Sequence, residues 1–131
     1  MARARNQRDG AAVVELAILL PLLVFLFVIG FDFARVFYYS QVLANCARNG
    51  AVYGSNLVTA TSPYQSIQEA ALADATNLDP QPTVTSTTGT YSAGNPYVKV
   101  TVSWDFRMIA TLPNVSNPVH LSRSAQMRIA P

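Results

Sequence analysis

The sequence predicts an α+β fold: a long N-terminal transmembrane helix continuing into a soluble domain, then a second helix and a small antiparallel sheet of about three strands. Three observations predict it. Leu16–Phe31 holds no charged side chain, inside an apolar run that begins at Ala11. Apolar positions Val36, Leu43, Cys46, Gly50, Tyr53 and Leu57 then follow at helical spacing, with no proline among them. Beyond Pro80 the apolar period changes to two, as half-buried strands require.

The first element is set by its length and its flanks. Ala11–Phe31 spans roughly 32 Å as a helix, against a hydrocarbon core of about 30 Å. A lone segment in lipid must satisfy its backbone internally, so helix is the form open to it. Pro21 removes one amide donor and is expected to loosen the helix near Ala17. Arg3, Arg5 and Arg8 precede the apolar run and favour a cytoplasmic N-terminus, whereas the Asp32 and Arg35 flank is balanced. Residues 1–10 thus read as a basic cytoplasmic leader and 11–34 as a transmembrane helix. Residues 35–131 read as an α+β domain on the periplasmic or extracellular side. A secretory signal shares the basic start, but this apolar core is too long and no A-x-A site follows it directly. "LANC" at Leu43–Cys46 is a poor lipoprotein box, because Asn45 precedes the cysteine far beyond the apolar core.

The composition sets further bounds. The 131 residues suffice for one modest domain, or a small domain with an added segment; 50% are hydrophobic and 12% charged. A net charge of +2, without a basic patch, indicates no nucleic-acid partner. Cys46 is the single cysteine, so no internal disulfide forms, and it reads as a small buried helix residue.

Past the membrane the first helix keeps one surface small, with Ala44, Ala47, Gly50, Ala51 and Gly54. The G-x-x-x-G spacing is read as close packing on the protein's own sheet. A second helix is expected from Ser62 as N-cap, with Pro63 at N1 and Gln65 at N3 of a capping box. Tyr64, Ile67, Ala71, Ala75 and Leu78 form its buried face, Glu69 and Asp74 its solvated side, and Pro80 ends it. "YVKVTVSWDF" is the clearest strand, with Val98, Val100, Val102, Trp104 and Phe106 on one face. Trp104 is expected to be buried between the sheet and the long helix. "PTVTSTTGTY" supplies an edge strand and "VHLSRSAQMRI" a closing one. Arg123 falls on the apolar side of the latter, to reach the sheet margin or to hold a partner's carboxylate.

Catalysis is not expected. His120 is the only histidine, so histidine-based metal sites and Ser-His or Cys-His pairs are hard to assemble. The six glycines are scattered and make no phosphate loop. No catalytic residue, metal or cofactor is indicated.

One stretch remains. Gly10-Ala11-Ala12-Val13-Val14-Glu15, with basic residues before it and an apolar helix after it, resembles a type IV prepilin processing site. The longer "RDGAAVVELAILLPLLVFLFVIGFDFARVFYYSQVLANCARNGAVYG" resembles the TadE-like family of tight-adherence (Flp, type IVc) pilus systems. Shared features are the Gly-x-x-x-x-Glu start, "LPLL", an acid with Arg after the apolar segment, "A-x-x-A-R-x-G-A", and the closing "SRSAQMR". The resemblance implies a minor pilin or pseudopilin in a bacterial inner membrane. It implies a prepilin peptidase that cuts between Gly10 and Ala11, and other pilin and pilus-assembly subunits as partners. It further implies that Glu15 meets the N-terminus of a neighbouring subunit. Leu16 departs from the aromatic residue that often follows this glutamate. The alternative is an uncleaved single-pass membrane anchor that serves as a binding or accessory module of a pilus or secretion apparatus.

Overall fold

The computed structural model describes residues 3–56, 61–92 and 94–130, and the side chains from residue 10 onward. Leu57 and the side chains of Arg3, Arg5 and Arg8 lie outside the described residues. Helix α1 spans Arg3–Gly54, α2 Ile67–Leu72, and strands β1 Thr83–Thr90, β2 Pro96–Phe106 and β3 Val119–Arg128. The three strands form one antiparallel sheet in the order β1-β2-β3. The expected α+β architecture is therefore present, with its long apolar helix, short second helix and three-stranded sheet.

Helix α1 passes through Pro21 without interruption. Every residue from 10 to 27 is exposed, and the first buried side chain among the described residues is Asp32. Beyond it one face of α1 enters the core. Leu43, Cys46, Ala47 and Ala51 meet Val98, Val100, Val102 and Phe106 of β2, together with Leu121 of β3. Alternation on β2 puts these valines inward, while Lys99 and Asp105 face solvent. Small residues let the helix sit close to the sheet. A Cβ on Gly50 would lie 3.0 Å from the Ala71 Cβ and 3.1 Å from the Val100 Cγ1. One on Gly54 would lie 3.0 Å from the Ile67 Cδ1 and from the Val98 Cγ2. The glycine pair packs within the chain, as its spacing led us to expect.

The end of α1 is tied to the end of the chain. Asn56 takes a left-handed conformation (φ 63°) that stops the helix. The hydroxyl of the buried Ser55 donates to the Val52 carbonyl at 2.7 Å, and its backbone carbonyl accepts the Ala130 amide at 2.9 Å.

The second helix differs from the expectation. Its N-cap is Ser66, not Ser62, and Glu69 rather than Gln65 completes the cap. The Ser66 hydroxyl accepts the Glu69 amide at 3.1 Å, and the Glu69 carboxylate accepts the Gln65 amide at 2.8 Å. Both serines precede an amide or acid by three residues. A carboxylate is the stronger acceptor and is favoured in a first helical turn, so the later frame prevails. Ser62 forms a local turn instead, accepting the Tyr64 amide at 3.2 Å. The helix ends at Leu72, and turns carry the buried Ala75 and Leu78 onward to Pro80.

Candidate functional site

Two regions of α1 bear on function. In the first, Gly10, Ala11 and Glu15 all lie on regular helix and are exposed. Among the described residues, nothing beyond the helix's own backbone and the adjoining residues comes within 4 Å of a Cβ built on Gly10. Ala11 and Glu15 are four residues apart, so they share a face about one turn apart. Arg3, Arg5 and Arg8 continue the same helix toward the N-terminus. The stretch that follows is long and apolar enough to cross a membrane, and none of its most apolar window is buried.

The second region holds the acid and the arginine that follow the apolar segment, Asp32 and Arg35. Asp32 is fully buried, although it follows directly on the apolar run. Its Oδ2 accepts the Ile109 amide at 2.8 Å and the Ala110 amide at 2.7 Å. Its Oδ1 pairs with Arg35 Nη1 at 3.2 Å. The Arg35 guanidinium also stacks 4.8 Å from the centre of the Phe106 ring. A buried carboxylate is costly unless it is paired and hydrogen-bonded, and here three donors satisfy it. The residue thus fastens the loop after β2 to the point where α1 leaves its apolar segment. The Arg35 pairing is legible in the sequence, since an acid and a base three residues apart mark a helical pair, whereas the burial of Asp32 and its distant amide partners give no linear signal.

Above this clamp a cleft of about 330 Å³ opens beside Arg35, Tyr39, Asp79, Trp104, Asp105 and Arg107. Trp104 is half-buried, not enclosed as expected. Its ring packs 5.0 Å from that of Tyr39, and its indole N–H donates to the Pro80 carbonyl at 2.7 Å. That polar edge draws the indole to the rim, because a buried N–H needs a partner. His120 is exposed on β3 and sits 2.7 Å from the Asp105 carboxylate across the solvent face. Arg123 pairs in register with Val102, yet it is exposed and donates to the Ser122 carbonyl at 2.9 Å. It therefore reaches the sheet margin. Cys46 is free and buried, and burial pushes its thiol up to about 11, with the nearby Asp74 charge acting in the same direction. Among the described residues no group of three His, Cys, Asp or Glu side chains is placed to hold a metal ion.

The model of the TadE-like protein family matches residues 10–52, which span both regions of α1. Neither a curated protein nor a solved structure matches the chain.

Proposed function

We propose that this TadE-like chain is a minor pilin or pseudopilin that takes part in assembly of a tight-adherence type IV pilus, anchored through α1. The reading is carried by one observation: Gly10, Ala11 and Glu15 stand exposed on an unbroken helix that runs on into the core of the domain. The anchor lies in the bacterial inner membrane, with the arginine-rich end cytoplasmic and the domain periplasmic or extracellular.

The chemistry follows from position. A prepilin peptidase cuts after Gly10 and frees an ammonium group on Ala11. That bond lies inside helix, so the peptidase must open it locally. Glycine, which costs about 1 kcal/mol in a helix interior, eases this step. The new ammonium and the Glu15 carboxylate then face neighbouring subunits in a medium of low dielectric. There an unpaired charge is strongly disfavoured and a matched pair is accepted, so the pair sets axial register more than stability. Leu16 supports a second reading, in which the chain stays uncut as a single-pass accessory anchor of the pilus or secretion apparatus.

Glu15 separates the two. Insertion depends on the summed apolarity of the segment, and one carboxylate near its end opposes it mildly. Glu15→Ala and Glu15→Gln are therefore expected to reach the membrane at wild-type levels. Recovery of either variant with pilin partners should fall sharply. Normal assembly of both would leave Glu15 an interfacial residue and favour the uncut anchor.

A further inference from the structure

Residues 107–118, between β2 and β3, form an apolar-tipped loop whose place relative to α1 is fixed by Asp32. Ile109 is 62% exposed and Val115 44% exposed. The stretch "RMIATLPNVSNP" contains one cation, Arg107, which is exposed, and no acid. Asn117 closes the loop on itself: its side chain accepts the Met108 amide and donates to the Met108 carbonyl, each at 3.2 Å.

The level at which it is held gives the display a purpose. Asp32 directly follows Phe31, the last residue of the lipid-length segment, and a helix rises about 1.5 Å per residue. The Ile109 amide lies 2.8 Å from the Asp32 carboxylate, so the exposed side chain stands at the height where α1 leaves the hydrocarbon. The apolar surface of α1 does not stop there. Phe31 and Phe33 are exposed on either side of Asp32, so helix and loop both present apolar side chains near one level.

We propose that the 107–118 loop is a membrane-seating element: Ile109 enters the interfacial zone of the outer leaflet, and Arg107 lies among the headgroup phosphates. Interfacial apolar side chains sit about 5–10 Å into the headgroup and acyl boundary, and nearby cations are drawn to anionic lipid. The Asp32 bonds hold the loop against α1 and so prevent the domain from swinging about the anchor. This inference rests on α1 spanning a membrane, and its test separates the two claims.

The test uses the full chain with Cys46→Ala, reconstituted in phosphatidylethanolamine and phosphatidylglycerol vesicles. An environment-sensitive fluorophore is attached at Ile109→Cys, at Phe25→Cys in the apolar segment, or at Ser92→Cys in the exposed turn between β1 and β2. Spin-labelled lipids then quench each site by depth. The label at 109 should be blue-shifted and lose most of its emission to a headgroup-level quencher. The label at 25 should lose emission to an acyl-chain quencher, and that at 92 should keep its emission with both. Should site 109 behave like site 92 while site 25 is quenched, the loop is aqueous or covered by another protein, and the proposal fails while the span stands. Absence of quenching at site 25 would overturn the span and the proposal together.

Discussion

Asp32 combines complete burial with a position at the edge of an apolar segment, and its worth is set by what its removal would strand. Asp32→Ala leaves the Ile109 and Ala110 amides without an acceptor and Arg35 without its counter-charge. Unsatisfied buried donors cost about 1–3 kcal/mol each, so the loss should be about 3 kcal/mol in thermal unfolding of the full chain in detergent. Asp32→Asn retains an acceptor oxygen and should lose less. Equal stability of all three chains would show that the clamp contributes nothing. Cys46 gives a second test at this scale. Burial raises its thiol from 9.0 to about 11, so the folded chain holds the proton to higher pH than the unfolded chain does. Unfolding then releases a proton between those values, and stability falls as pH rises from 9.0 toward 11. Cys46→Ala should lack that component of the decline. An identical slope in both chains would place the thiol in contact with water. The cysteine's burial was legible from its lone place on an apolar stripe. The role of Asp32 was not, because its acceptor sites are filled by backbone more than seventy positions away, at separations of 77 and 78.

The elements were legible in proportion to their periodicity. β2 alternates so regularly that its inward face could be named residue by residue, apart from the half-exposed Trp104. α2 has six residues, too few for a period, and two overlapping serine caps competed for its start. The Gly50–Gly54 face joins α1 to both neighbours and permits a graded test. Alanine in a helix gains about 1 kcal/mol over glycine, whereas forcing a methyl group into a packed core costs about 1–3 kcal/mol. At Gly50 the obstacles include the Ala71 Cβ and the Ile67 carbonyl, which cannot turn aside. At Gly54 they are the ends of the Ile67 and Val98 side chains, and the Ile67 end can rotate away. Gly50→Ala should therefore destabilise the fold, and Gly54→Ala should destabilise it less. The reverse order would mean that the helix is set farther from the sheet.

For the whole molecule, one continuous helix joins a segment long and apolar enough to cross a membrane to the packed domain. From Ala11 to Phe27 it offers only exposed apolar residues and Glu15, and its second part forms a wall of the core. A domain this small buries a limited fraction of its surface, so a wall borrowed from the anchor adds to its stability and couples domain orientation to the membrane. The division was visible in the sequence as the end of the uncharged run. The proposed processing site rests on a resemblance, because Gly10 and Glu15 are exposed on regular helix and no packing among the described residues marks them out.

The central claim is that Gly10 and Ala11 mark the boundary between leader and mature subunit. The most direct measurement is the intact mass and N-terminal peptide of the protein recovered from membranes, with a prepilin peptidase present and absent. The account predicts a mature chain beginning at Ala11 when the peptidase is present and an uncut leader when it is absent. An intact leader under both conditions would contradict the pilin reading and leave the chain a permanent anchor.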